Sequence, residues 1–118
     1  MVDELVAFLR ARLDKDEAIA CAADTELSAV FIRIAVFDPE MAADERHIMR
    51  HKPVRVLREV EAKRRTVALY EEAVAGTHDA SRTNAATWRP IVTVLEPVLR
   101  DLALPYADHP DYREEWRP

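Results

Sequence analysis

The stretch AVFIRIAVF, residues 29–37, decides between two folds. Taken alone it spells a β-strand, because β-branched and aromatic residues dominate it. Projected at about 100° per residue it says something different. Val2, Leu5, Leu9, Leu13, Ala20, Ala23, Leu27, Val30, Phe31 and Ile34 fall in one sector, flanked by Phe8, Ile19 and Phe37. A helical phase held across the whole N-terminal third outweighs a local strand propensity, so a helix is predicted through residues 29–37. Asp24-Thr25 can cap a restart, which leaves open whether residues 1–37 form one helix or two. One helix of that length spans roughly 50 Å, long for a compact domain of this size, and this predicts an elongated molecule or an oligomer.

Glycine usage supports the same reading. The 118 residues contain a single glycine, whereas tight hairpins, phosphate-cradling loops and dinucleotide fingerprints all need several. Short connections between helices are expected instead. Asp38-Pro39-Glu40 reads as a stop and restart, with an N-cap, a first-turn proline and an acid near the helix N-terminus. A short second helix then runs to about His51. Pro53 opens a third, ending at Gly76 as its C-cap, with Val56, Leu57, Val60, Val67 and Val74 on one face. A fourth is clearest from Pro90, with residues 80–88 adding a turn or two. Trp88, Ile91, Val92, Leu95, Val98, Leu99 and Leu102 group together on it, and a bend is expected at Pro97. The tail from residue 104 is aromatic and punctuated by proline. The expected fold is all-α: a four-helix, antiparallel, bundle-like single domain over residues 1–118, with helices to 103 and a docked tail over 104–118.

Composition narrows the class. A hydrophobic fraction of 49% and a charged fraction of 33% suit a folded soluble chain. One cysteine excludes an internal disulfide and a cysteine zinc cluster, and Cys21 is expected to be a small core residue. The N-terminus has no cationic region before its apolar residues, and no apolar run is long enough for a bilayer. Cytoplasm is the default expectation, without membrane association.

Three motifs resemble a known family. LVAFLRARLD at 5–14, HIMRHKPVRVLREVEAKRR at 47–65 and LALPYADHPDYREEWRP at 102–118 are similar to an uncharacterised actinobacterial family catalogued as domain of unknown function 6221. The stretches 15–46 and 66–101 do not share the resemblance. It implies no activity, cofactor or catalytic residue, but suggests that the N-terminal helix, the basic helix and the tail work together.

The middle motif concentrates charge. Arg46 to Arg65 holds eight Lys/Arg and two Glu, so its charge is +6 in a chain of net −5; nine cations and twenty carboxylates elsewhere give −11. Such a segment serves the protein's own acidic parts, a partner protein or a nucleic acid. A phosphate or partner surface would use Arg55, Arg58 and Arg65, with Arg50 and Lys52 beside them. Glu59–Lys63 and Glu61–Arg65 are spaced as i,i+4 pairs on an ordinary solvated face. The tail offers Asp108, Asp111, Glu114 and Glu115, with Tyr106, Tyr112 and Trp116 as docking anchors. A tail folded onto helix three is the favoured explanation of the charge excess.

Other constellations are weaker. His47 and His51 stand one turn apart with Asp44 on the same face, and His109 from the tail can complete a divalent-metal shell. Asp16 sits in the apolar stripe one turn after Arg12 and reads as a structural ion pair with Arg12 or Arg64. His78, Asp79 and Ser81 are the residue types of a hydrolytic triad, without triad geometry. Val30, Phe31, Ile34 and Phe37 belong to a region whose apolar residues point in nearly every direction, as an oligomer interface would require. The favoured reading is a non-enzymatic interaction or regulatory module that needs no cofactor and forms a homodimer. The alternatives are a small nucleic-acid-binding protein and, third, a metal-dependent hydrolase.

Overall fold

The computed structural model describes the backbone of residues 2–37, 42–79 and 82–118, and their side chains apart from those of 27–37 and 82–84. The chain is all-α. Helices α1 (Val2–Phe37), α2 (Ala43–Arg50), α3 (Pro53–Thr77) and α4 (Arg82–Ala103) are followed by two 3-10 turns, Leu104–Tyr106 and Glu114–Trp116. No strand occurs among the described residues. The phase argument therefore prevails over strand propensity: residues 29–37 continue α1, and the helix does not restart at Asp24-Thr25. Thr25 instead donates its hydroxyl back to the Cys21 carbonyl, at 3.3 Å. The Asp38-Pro39-Glu40 stop lies outside the described residues.

Packing divides the chain into two compact units, residues 1–13 with 62–118, and residues 14–61. In the first, Leu5, Phe8 and Leu9 of α1 share a core with Val67 and Tyr70 of α3, Leu99 and Ala103 of α4, and Trp116 of the tail. The apolar stripes read from the sequence are the buried ones, and Leu13, Ala73 and Leu99 are fully inaccessible. In the second unit the described side chains bury only Ala20, Pro53 and Val60. Cys21 is exposed rather than part of a core, because it follows Ala20 by 100° around the helix and leaves the stripe.

Gly76 corrects the expected C-cap. It lies inside α3, and no residue has a positive φ. A Cβ built there would stand 2.2 Å from Cδ1 of Trp88. This glycine is therefore required by the close approach of an indole from α4, not by a left-handed cap. Helix α3 ends one residue later, where the Thr77 hydroxyl donates to the Val74 carbonyl at 2.6 Å. Helix α4 begins at Arg82, earlier than the clear apolar pattern, and continues through Pro90 and Pro97. Each proline removes one backbone hydrogen bond from the ladder, while the apolar face persists on both sides of them.

Successive tight turns shape the tail. Backbone N–H groups of Ala107, His109, Tyr112, Trp116 and Arg117 each donate to the carbonyl three residues earlier, at 2.9–3.0 Å. The resulting coil gathers Tyr106, His109, Tyr112 and Trp116 around the Phe8 ring, with centroids 6.2, 5.6, 6.0 and 5.1 Å away. The tail's anchor is thus a phenyl ring of α1.

Candidate functional site

In the unit formed by residues 14–61, three helices border an open cleft of about 300 Å³. Helix α1 contributes Asp16, Ile19, Ala20 and Ala23; α2 contributes His47, Ile48 and His51 at its end; α3 contributes Pro53 and Val56. The walls are mainly apolar, yet Ile19 is 56% and Ile48 51% exposed. Val54, nearby in the chain, is also exposed. Helix α2 has well-placed end charges, Asp44 and Glu45 in its first turn and Arg50 in its last, and the His51 N–H closes it on the His47 carbonyl. It buries no residue at all. Eight residues make a marginal helix in water without packing on an apolar face, so α2 presents surface rather than core.

Cations alternate with the lining residues along the chain. Arg46, Arg50, Lys52 and Arg58 are exposed, and their side chains have no carboxylate partner among the described residues. Arg55 is engaged locally: it pairs with Glu59 at 3.1 Å and donates to the Arg50 carbonyl at 3.1 Å. Glu59 therefore faces back to Arg55 rather than forward to Lys63. Arg65 is exposed and has an interaction of its own.

The tail's charges do not go to this basic segment. Arg117 pairs with Glu114, Arg113 with Glu115 at 3.8 Å, and the same Arg113 with Glu4 of α1 at 2.6 Å. Asp111 lies 3.9 Å from His109. The hydrogen bond from Arg117 holds the Glu114 carboxyl below its usual pKa. The tail neutralises itself, because arginines interleave its acids at short spacing, and the charge asymmetry of the chain is not an internal complementarity between tail and helix three.

The His47 and His51 rings do come together, with centroids 4.6 Å apart and planes tilted by 41°. The Asp44 carboxylate accepts from the backbone N–H of Glu45 at 2.9 Å. His109 is occupied in the other unit, where its Nδ1 accepts from the Asp111 N–H at 3.1 Å and its ring meets Phe8 edge-on. Among the described residues no three His, Cys, Asp or Glu side chains form a metal-binding group. Asp16 is half-exposed and lines the cleft. Arg12 does not pair with it, since its guanidinium lies 5.8 Å over the Phe8 ring. His78 and Asp79 are exposed beyond the end of α3, and Ser81 is outside the described residues. Of the suggested oligomer interface, Val30, Phe31, Ile34 and Phe37 have side chains outside the described ones. The sequence reading missed Ile19 and Ile48 as site residues. The available signal was Ile48 itself, an isoleucine amid a helix otherwise composed of charged and polar groups.

The chain belongs to DUF6221, a family of unknown function, whose model matches residues 2–118. The match extends through the two stretches that carried no resemblance by motif. No curated protein and no solved structure matches the chain. No helix among the described residues is long and apolar enough to cross a membrane.

Proposed function

We propose that the protein is a non-enzymatic helical interaction module whose cleft over residues 16–56 docks an acidic, amphipathic segment of a partner protein. The observation that carries this reading is α2, a helix that buries nothing beside a cleft whose isoleucines stay half in water. Burial of Ile19 and Ile48 by an apolar side chain supplies the attraction, on the order of 1–2 kcal/mol for each residue. The unpaired cations Arg46, Arg50 and Lys52 select the sign of the partner's charge and steer its approach. A second copy of the same face is disfavoured, because these cations would meet their own copies. Self-association, where it occurs, is assigned to the apolar region of α1 around Val30, Phe31, Ile34 and Phe37, on the sequence pattern alone.

The test is fluorescence anisotropy with a labelled helical peptide carrying Leu at i, i+3, i+4 and i+7 and Glu on its flanks. Saturable binding that weakens with salt, and that Ile48→Asp abolishes, is the expected result. A Lys-flanked peptide binding as well as the Glu-flanked one, or no binding by either, overturns the proposal. Nucleic acid is the second reading, favoured by the same unpaired cations with Arg58 added. It requires gel retardation at low salt that is lost in Arg46→Glu/Arg50→Glu/Arg58→Glu.

A further inference from the structure

A different feature lies in the other unit, where the tail crosses the start of α1. There a cleft of about 540 Å³ is lined by Glu4, Ala7, Phe8, Ala11 and Arg12 of α1, and by Pro110, Asp111, Tyr112, Arg113 and Trp116 of the tail. That volume is within the range of small-molecule sites. Two side-chain polar atoms are buried without any hydrogen-bond partner among the described residues, the Arg12 Nε and the Tyr112 hydroxyl. Both residues line this cleft. Buried polar groups are nearly always paired, and an unpaired one costs the free energy of its lost hydration. Two such groups on a single cleft point to something that pairs them.

The charges of the cleft decide what kind of group that is. Glu4 is matched by Arg113, at 2.6 Å. Asp111 faces His109 at 3.9 Å. Arg12 has no carboxylate, and its one contact is the Phe8 ring. The cleft therefore holds one uncompensated cation, one unpaired N–H donor and one unpaired phenol, between aromatic and alanine walls. We infer that this cleft is a binding site for a small organic monocarboxylate with an apolar body. The carboxylate accepts from the Arg12 Nε–H and the Tyr112 hydroxyl, and the body lies against Phe8, Ala11, Pro110 and Trp116. A charged acceptor is preferred over a neutral one because a hydrogen bond to a carboxylate in a partly dry site is about twice as strong. The phenol adds directionality, since it can donate to one oxygen while the guanidinium serves the other.

Benzoate and indole-3-acetate, set against benzamide and indole-3-acetamide, test the site in the intact protein. Backbone amide shifts at Ala7, Ala11, Asp111 and Arg113 report occupancy. Saturable shifts with a Kd of about 1 mM are expected for the acids, as suits ligands of this size, with the amides at least about tenfold weaker. Arg12→Gln removes the distinction between acid and amide. Tyr112→Phe weakens the acids severalfold while keeping the fold, because it deletes an unpaired hydroxyl and no existing hydrogen bond. This second variant keeps the test decisive if Arg12→Gln does not fold. Acids and amides of equal affinity, acid binding unchanged in Tyr112→Phe, or no saturable shift up to about 10 mM overturns the inference; solvent then satisfies both atoms.

Discussion

Trp116 stands three residues from the end of the sequence and is 4% exposed. Replacing it with alanine removes an indole lying 5.1 Å from Phe8 and 5.8 Å, edge-on, from Tyr112. It also removes the aromatic face under Arg113, whose guanidinium stands 5.8 Å away. Tryptophan-to-alanine changes in a core cost about 3–5 kcal/mol, and a single aromatic pair accounts for about 0.5–1.5 kcal/mol of such a loss. Against a total stability of about 5–15 kcal/mol, Trp116→Ala removes a third or more, equivalent to roughly 10–20 °C in Tm. Arg113→Ala is the control from the same turn. Its ion pair with Glu4 joins side chains about half exposed, 48% and 49%, and such pairs are worth about 0–1 kcal/mol. Urea unfolding followed by circular dichroism measures both. The reasoning fails if Trp116→Ala costs less than about 1 kcal/mol, or no more than Arg113→Ala. A double-mutant cycle with Phe8→Ala sharpens the result, since a Phe8–Trp116 coupling of about 0.5–1.5 kcal/mol is expected for rings in contact.

Gly76→Ala is expected to destabilise by about 1–3 kcal/mol, although the same change in an exposed helix interior stabilises by about 1 kcal/mol; Trp88→Leu should relieve the difference. Tyr70 has its pKa raised above 10.0, by burial first and then by the Glu96 and Asp3 carboxylates. The unfolded chain loses this proton at lower pH than the folded one, so stability falls as pH rises past about 10, and Tyr70→Phe should flatten that alkaline slope in denaturation curves. If the adjacent imidazoles of His47 and His51 hold a divalent ion, added zinc raises Tm in wild type and not in His47→Ala; an unchanged Tm in wild type refutes the metal reading. Light scattering at micromolar concentration should give a dimer mass that Phe31→Asp reduces to a monomer mass, whereas a monomeric wild type ends the self-association proposal.

The fold was legible because its deciding signals are local and periodic. The phase from Val2 to Ile34 defined α1 across a strand-like sequence, and one glycine excluded the turn chemistry of sheets. Gly76 shows where such reasoning stops. The same residue marks a helix end or a close approach of another helix, and only the position of Trp88, twelve residues away, distinguishes them. Ion pairing was less legible still. The tail acids and the basic segment have opposite net charges, which suggested that they meet. A pairing, however, is settled over a few ångströms, and Arg113 and Arg117 stand closer to those acids than any residue of the basic segment can by sequence alone. The cations so released are what make residues 46–58 a candidate surface. By contrast, the Arg12–Tyr112 cleft had no sequence signal at all. Arginine on a helix face and tyrosine in a tail are ordinary, and they become a site only where coiling of the tail against Phe8 buries their polar atoms without pairing them. Residues chosen for chemistry in this chain are thus best found by asking which buried or exposed groups the fold leaves unmatched: isoleucines and cations in residues 14–61, and one guanidinium and one phenol beside the tail.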